Sequence, residues 1–171
     1  MGRMSTKKNK SPFQTRREEL KYTREQASEL IGFLSADQIE KIENDKATLK
    51  PEDVVAMSKA YKMPTLCNYY CAKRCAIGKN YVPEIKLKEL SAIVLEILAS
   101  LNYMQQRQQR LIEIASDGEI SSGEIEDFVH IQENLEKISV TVEALQLWSE
   151  QMIVDKVIDE DLYNKYKHGN K

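Results

Sequence analysis

Residues 87–115 carry a long alternation of three- and four-residue steps between mostly apolar positions. The positions are Leu87, Leu90, Val94, Ile97, Leu101, Met104, Gln108, Leu111 and Ala115. This spacing is typical of a long helix that buries one stripe of side chains. A second stripe of the same kind comprises Phe128, Ile131, Leu135, Ile138, Val142, Leu145, Ser149 and Met152. Two helices of about 30 residues, each about 45 Å long, joined by a short turn at residues 116–118, predict an antiparallel hairpin.

Further apolar side chains of the same region are expected to lie outside these two stripes. They are Ile93, Leu98, Val140, Leu147 and Trp148. A two-helix hairpin cannot cover both sets, whereas pairing with a second hairpin into a four-helix bundle would cover them. We therefore predict a homodimer whose interface contains Leu98, Leu101, Val140, Leu147 and Trp148.

Charge is distributed unevenly along the 171 residues, although the net charge is only −2. Residues 1–83 contain 16 basic and 10 acidic side chains, a net charge of +6. Residues 84–171 contain 9 basic and 17 acidic side chains, a net charge of −8. Such a division indicates that the first half meets a polyanion while the second half has another role.

Short helices are predicted for the residues that precede the hairpin. Thr23 and Ser35 are suited to cap the second and third of them, and Gly32 is suited to end the second. Pro51 fits the first turn of a fourth helix, where its missing N–H has no cost. A fifth helix is predicted from Thr65 to about Ala76. No stretch alternates with a period of two, so no sheet is expected.

The predicted fold is therefore all-α, with a five-helix N-terminal domain followed by the long antiparallel helical hairpin. The expected boundaries are a basic flexible arm at residues 1–11, the five-helix domain at 12–80, with a loop at 78–80, the hairpin at 84–155, and a short polar helix or tail at 156–171. The longest apolar run, residues 92–101, is too short to span a bilayer and contains Glu96.

Residues 15–61 resemble the helix-turn-helix domain of the Cro and phage-repressor class, often called the xenobiotic-response-element (XRE) type. The pattern includes Arg17 six residues before Thr23, followed by Glu25, Gly32, Ile39, Ile42-Glu43-Asn44 and Pro51. The stretch covers less than a third of the chain. The resemblance implies a sequence-specific transcriptional regulator that binds double-stranded DNA as a dimer. It also implies a structural ion pair between Arg17 and Glu43.

By the same resemblance, the third helix would enter the major groove with its N-terminal residues at the base edges. Carried over by position, the reading face is Ser35, Ala36, Asp37, Gln38 and Lys41, with Lys46 and Thr48 near phosphates. The sequence departs from the family pattern at three points. One extra residue separates Gly32 from Ile39, Asp37 and Glu40 place negative charge on the reading helix, and Asp45 stands where the family usually has glycine.

Most of the positive charge of the N-terminal half precedes the third helix. We predict phosphate contacts, which supply affinity without a sequence code, from Lys7, Lys8, Lys10, Arg16 and Arg24.

Three thiols recur four residues apart at Cys67, Cys71 and Cys75. On one helix they would form a single stripe, which suits packing of the fifth helix. Thiolate metal sites usually have Cys-x-x-Cys spacing and a fourth ligand, so the alternatives of metal binding or redox sensing have less support. We expect neither a metal nor a cofactor.

The sequence contains little that is typical of an enzyme. His130 and His168 are isolated, no glycine-rich phosphate loop is present, and no nucleophile has a recognisable base. We therefore expect a non-enzymatic protein of the cytoplasm, associated with the nucleoid, with a possible protein or small-molecule effector. The alternative is a protein–protein interaction module, adaptor- or antitoxin-like, that keeps the helix-turn-helix fold without specific DNA readout.

Overall fold

Capping side chains define the beginnings of the short N-terminal helices. The computed structural model describes residues 10–116 and 118–169. Ser11, Thr23 and Ser35 each precede a helix, and each side-chain oxygen accepts a hydrogen bond from the backbone N–H three residues later, at 3.2 Å. Each cap satisfies a backbone donor that the first turn would otherwise leave unpaired.

The described residues form nine α-helices and no strand, so the predicted all-α fold is confirmed for this part of the chain. The helices are α1 (Pro12–Glu19), α2 (Arg24–Ile31), α3 (Ala36–Glu43), α4 (Pro51–Ala60), α5 (Thr65–Lys73), α6 (Gly78–Tyr81), α7 (Leu90–Ala115), α8 (Ile125–Val154) and α9 (Glu160–His168). None of them combines the length and the apolar character that crossing a bilayer requires.

The chain divides into two compact units. Among the described residues, the first contains residues 10–84 and 150–169, and the second contains Ile85–Ser149 apart from residue 117. Within the first unit, the Gln151 side chain donates a hydrogen bond to the carbonyl oxygen of Lys62, at 3.3 Å. The last turn of α8 is thus tied to residues that follow α4.

One apolar core holds the short helices together. Its buried members are Phe13, Ala27, Leu34, Ile39, Ile42, Val54, Met57, Tyr61 and Leu66. Each of the helices α1 to α5 contributes only one or two of them, so none could bury enough apolar surface alone. The helices are therefore stable only as a set.

The segment after α5 differs from the sequence-based prediction. Helix α5 ends at Lys73 rather than near Ala76, and residues 78–80, which were expected to form a loop, belong to the short helix α6. A β-carbon built on Gly78 would lie 2.1 Å from the carbonyl oxygen of Cys71. Glycine is required at this position because the two backbone segments approach each other closely.

In the second unit, α7 and α8 pack together as the predicted antiparallel hairpin. Asn134 of α8 donates to the carbonyl oxygen of Ser100 in α7, at 3.2 Å. Nearer the connection, Asp127 of α8 accepts from Arg107 at 3.2 Å and from Arg110 at 2.7 Å. The contacts pair later residues of α7 with earlier residues of α8, as antiparallel packing requires.

The packing stripe of each long helix differs from the predicted one. On α7 the buried or half-buried positions include one stripe that steps by four and three residues: Ile93, Ile97, Ser100, Met104, Arg107, Leu111 and Ile114. On α8 they include Asp127, Ile131, Asn134, Ile138, Thr141, Leu145 and Trp148. On α7 the stripe shares only every second position with the prediction, since Val94 and Leu101 are 41% and 52% exposed. On α8 Leu135 and Val142 are also exposed, at 47% and 42%, whereas Phe128, Ser149 and Met152 are half-buried as predicted.

The expectation that Ile93, Val140, Leu147 and Trp148 lie outside the hairpin's own packing is wrong. Ile93 and Leu147 are buried members of the hairpin core, and Val140 and Trp148 pack against it. Those side chains cover the end of the hairpin where α7 begins. Among the predicted dimer residues, only Leu98 and Leu101 remain more than half exposed, at 57% and 52%.

Candidate nucleic-acid interface

Two capping boxes fix the geometry of the helix-turn-helix segment. At the start of α2 the side chain of Gln26 accepts from the backbone N–H of Thr23, at 2.9 Å. At the start of α3 the side chain of Gln38 accepts from the backbone N–H of Ser35, at 2.8 Å. Between them Gly32 adopts a φ of +88°, which ends α2 and turns the chain toward α3.

Helix α3 has an inward and an outward face. Ile39, Ile42 and Glu43 are buried against the other short helices. The outward face is exposed at Ser35, Asp37, Gln38, Glu40 and Lys41, and Ala36 is half-buried. The residues predicted to read DNA therefore share one accessible surface.

A buried carboxylate joins the first three helices. Glu43 accepts hydrogen bonds from Arg17 of α1 at 2.6 and 2.9 Å and from Arg24 of α2 at 3.0 Å. Arg17 also donates to the carbonyl oxygen of Tyr22, at 2.7 Å. Burial alone would lower the pKa of Arg17, but the hydrogen bonds and charge of Glu43 raise it above its ordinary value. The Arg17–Glu43 pair that the resemblance implies thus sets the angle of α3 on α1 and α2.

Three of the residues predicted to contact phosphates form hydrogen bonds or ion pairs within the domain. Arg16 donates to the carbonyl oxygen of Tyr61 at 3.0 Å, and Arg24 is held by Glu43 and Glu40. Lys10 pairs with Glu18 at 2.6 Å. Lys7 and Lys8 lie outside the described residues.

Lys41, Lys46 and Thr48 are exposed at the end of α3 and in the loop that follows it. Within the described part of the chain, neither lysine takes part in an ion pair. The backbone N–H of Lys46 donates to the carbonyl oxygen of Lys41, at 2.7 Å. Asp45, in the place of the family glycine, adopts a φ of +58° and pairs with Arg74 at 2.6 Å. The loop is thus folded back onto the end of α3.

Two exposed apolar side chains next to α3 were missed by the sequence analysis. Phe33, in the turn, is 59% exposed and Leu30, at the end of α2, is 56% exposed. Leu34 fills the core instead, at 5% exposure. The extra residue between Gly32 and Ile39 was the available signal, because it leaves one apolar residue of the turn without a place in the core.

The three cysteines are half-buried on or next to α5. Burial, together with the neighbouring thiols of Cys75 and Cys67, raises the pKa of Cys71. Of the side chains that the structure describes, no three His, Cys, Asp or Glu residues are grouped as a metal site would require. Cys67 packs against the core of the short helices.

The buried hydroxyl of Tyr61 allows a test of how an unpaired polar group affects the stability of the N-terminal domain. The side chain is 0% exposed, its hydroxyl has no hydrogen-bond partner among the described residues, and burial raises its pKa well above the ordinary value. Tyr61→Phe is expected to leave the free energy of unfolding unchanged or to raise it by up to about 1 kcal/mol. Urea denaturation followed by circular dichroism would measure this. A loss of stability would show that the hydroxyl has a bonding partner.

Comparison with known proteins places these observations in a family. Residues 13–66 match a family model described as Helix-turn-helix. No curated protein and no solved structure gives a significant match to the chain. The matched residues extend from α1 into the first turn of α5 and include the Glu43 network, both capping boxes and α3. Residues 13–66 therefore form a helix-turn-helix domain, as the resemblance to the Cro and phage-repressor class predicts.

Proposed function

We propose that this protein is a transcriptional regulator that binds specific sites on double-stranded DNA as a dimer. The observation that carries the proposal is the anchoring of α3. On its inward face, the carboxylate of Glu43 accepts hydrogen bonds from Arg17 and Arg24. On its outward face, Asp37, Gln38 and Lys41 are exposed. A recognition helix needs this arrangement, because base readout depends on side chains that are accessible on a rigid support.

In this proposal Lys41 and Gln38 supply hydrogen-bond donors to base edges, and Asp37 accepts from cytosine. Lys46 and Thr48, in the loop after α3, contact phosphates. The basic arm adds affinity that falls with salt, because each neutralised phosphate releases counterions. Arg16 and Arg24 support the site from within the domain, since their guanidinium groups are bound to protein acceptors. A regulator of this kind acts in the cytoplasm, at the nucleoid.

Lysine substitutions test the proposed roles. Lys46→Ala is expected to weaken binding to all duplexes alike and to reduce the slope of log affinity against log salt by about 1. Lys41→Ala is expected to cost about 1–3 kcal/mol at the preferred site and to relax the preference at one base pair. Site selection from random duplexes, followed by titration at several salt concentrations, would measure both effects.

Lys59→Ala is the matched control, because Lys59 is exposed on α4 of the same domain. It is expected to change neither the salt slope nor the selected sequence. The absence of binding to any duplex at low salt would contradict the proposed function. A uniform loss in Lys41→Ala across all sequences would instead assign that lysine to the DNA backbone.

The acidic and apolar surroundings of α3 favour one alternative, a protein-interaction module. Asp37 and Glu40 are exposed beside the exposed side chains of Phe33 and Leu30. Carboxylates repel phosphates, whereas aromatic residues are enriched at protein interfaces. If no duplex is bound at low salt, this surface becomes the candidate contact with a partner protein.

A further inference from the structure

Helix α7 carries a second regular stripe beside the one that packs on α8. Each of its positions follows a packing position by one residue, and each is exposed: Val94, Leu98, Leu101, Gln105, Gln108 and Ile112. The steps again alternate between four and three, so the stripe runs straight along the helix. It contains no charged residue.

Helix α8 carries a matching stripe. Its positions also follow the packing positions by one residue, and all are exposed: Gln132, Leu135, Ser139, Val142 and Gln146. This stripe contains no charged residue either. The two helices therefore share one pattern of apolar, amide and hydroxyl side chains.

The two uncharged stripes lie on the same side of the hairpin. A step of one residue turns the side-chain direction by about 100° around each helix axis. Because the axes are antiparallel and the packing stripes face each other, these rotations bring both stripes to one side. We call this surface the uncharged face.

The opposite side of the hairpin has a different character. The positions one residue before the packing stripes include Glu96 and Arg110 on α7, and His130, Glu133 and Lys137 on α8. Near this side Lys88 pairs with Glu96 at 2.6 Å. Most charged side chains of the two helices thus lie on that side or, as with Arg107 and Asp127, between the helices, whereas Glu143 follows Val142 of the uncharged stripe by one residue.

We propose that the uncharged face binds the same face of a second copy of this chain, forming a four-helix bundle. A two-fold interface brings each residue patch against itself or its neighbours, so a face with carboxylates would repel its copy. The uncharged face is the side on which an acidic hairpin can meet its copy without that repulsion. Glutamine and serine can both donate and accept, so they can pair across such an interface.

The size of the face is sufficient for a stable dimer. From Val94 to Ile112 it is about 27 Å long, and two adjacent helices make it about 20 Å wide. A second copy would therefore cover roughly 600 Å² or more on each partner, which reaches the lower range of stable interfaces.

This inference rests on the dimeric state within the proposed function and assigns it to a surface. It replaces the predicted interface residues Val140, Leu147 and Trp148, which cover the hairpin's own core. It retains Leu98 and Leu101, which lie on the uncharged face.

Two valines of α8 provide a matched test. Val142 lies on the uncharged face, whereas Val129 points away from both α7 and that face, and each is 42% exposed. The full-length wild type is expected to sediment as a dimer, at about twice 19.7 kDa. Val142→Glu is expected to raise the dimer dissociation constant at least about tenfold, because it places two carboxylates in the interface. Val129→Glu is expected to leave it unchanged.

Circular dichroism and thermal unfolding of both variants establish that the hairpin is intact. Leu101→Glu, on the other helix, is expected to behave as Val142→Glu does. A monomeric wild type would overturn the inference, as would a Val129→Glu effect equal to that of Val142→Glu. DNA titration of the wild type separates the two proposals: a dimer that binds no duplex contradicts DNA readout alone, and a monomer that binds duplex contradicts the interface alone.

Discussion

Replacing Glu43 with alanine is expected to lower the free energy of unfolding of the N-terminal domain by about 3–5 kcal/mol. The Glu43 side chain is 0% exposed and accepts hydrogen bonds from both Arg17 and Arg24. Its removal leaves the guanidinium group of Arg17 buried with only a longer contact to the carboxylate of Glu18, at 4.0 Å. Desolvation of an unpaired buried charge costs more than a well-formed pair contributes, so the loss exceeds the value of the ion pair itself. Urea denaturation monitored by circular dichroism would measure the change.

Glu40→Ala is the control for the Glu43 prediction. Glu40 also pairs with Arg24, at 3.4 Å, but its side chain is 53% exposed. Exposed ion pairs contribute little, so a change within about 0.5 kcal/mol is expected. Equal effects of the two substitutions would contradict the role assigned to Glu43. Because Glu43 also positions α3, the Glu43→Ala protein is expected to lose its sequence preference in DNA binding even under conditions in which circular dichroism shows that its helices are retained.

The second large effect is expected at the junction of α5 and α6. Gly78→Ala would place a β-carbon 2.1 Å from the carbonyl oxygen of Cys71 and 2.8 Å from its carbonyl carbon. Both atoms belong to the backbone, so the clash cannot be relieved by rotating a side chain. We expect a loss of about 1–3 kcal/mol, although alanine favours helix over glycine by up to about 1 kcal/mol. Steric overlap thus predicts that Gly78→Ala lowers the free energy of unfolding, whereas helix propensity predicts that it raises it. Thermal unfolding of the variant decides between the two.

Gly123 provides the matched glycine for that experiment. A β-carbon at Gly123 would meet no atom within 4 Å, and its backbone is outside the left-handed region. Gly123→Ala is therefore expected to leave stability unchanged or to raise it slightly, since it lowers the entropy of the unfolded chain. A Gly78→Ala protein as stable as Gly123→Ala would refute the close approach of α6 to Cys71.

The sequence was sufficient to locate the short helices because their ends carry local signals. Thr23, Ser35 and Pro51 each act within a few residues of their own position, and the structure places a helix start at each. The hairpin was also predictable, from the length of its apolar pattern. Its packing stripe was not, because hydrophobicity alone selects Leu101 and Leu135 over their neighbours Ser100 and Asn134. The Asn134 side chain is accommodated inside because it donates to the backbone carbonyl oxygen of Ser100 across the hairpin.

The candidate interface was predictable in position but only partly in composition. The resemblance located α3 and its outward residues, since these depend on helix periodicity alone. The partners of Arg16 and Arg24 depend on contacts 45 and 19 residues away in the chain, which spacing cannot reveal. From the sequence alone, a basic residue near a recognition helix is therefore interpreted as a phosphate contact. Its hydrogen-bond acceptor within the domain becomes visible only in the structure.

Four helix ends bear on how stable this protein is able to be. Lys21 after α1, Asp45 after α3, Lys62 after α4 and Lys156 after α8 have φ values of 59°, 58°, 51° and 59°. Helices often place glycine at such left-handed ends, where other residues are disfavoured by about 1 kcal/mol or more. The chain thus accepts a small conformational penalty four times over in its described part. The folded state is consequently less stable than the same backbone with glycine at these four helix ends is expected to be, so each of them is a position at which a glycine substitution is expected to raise the melting temperature.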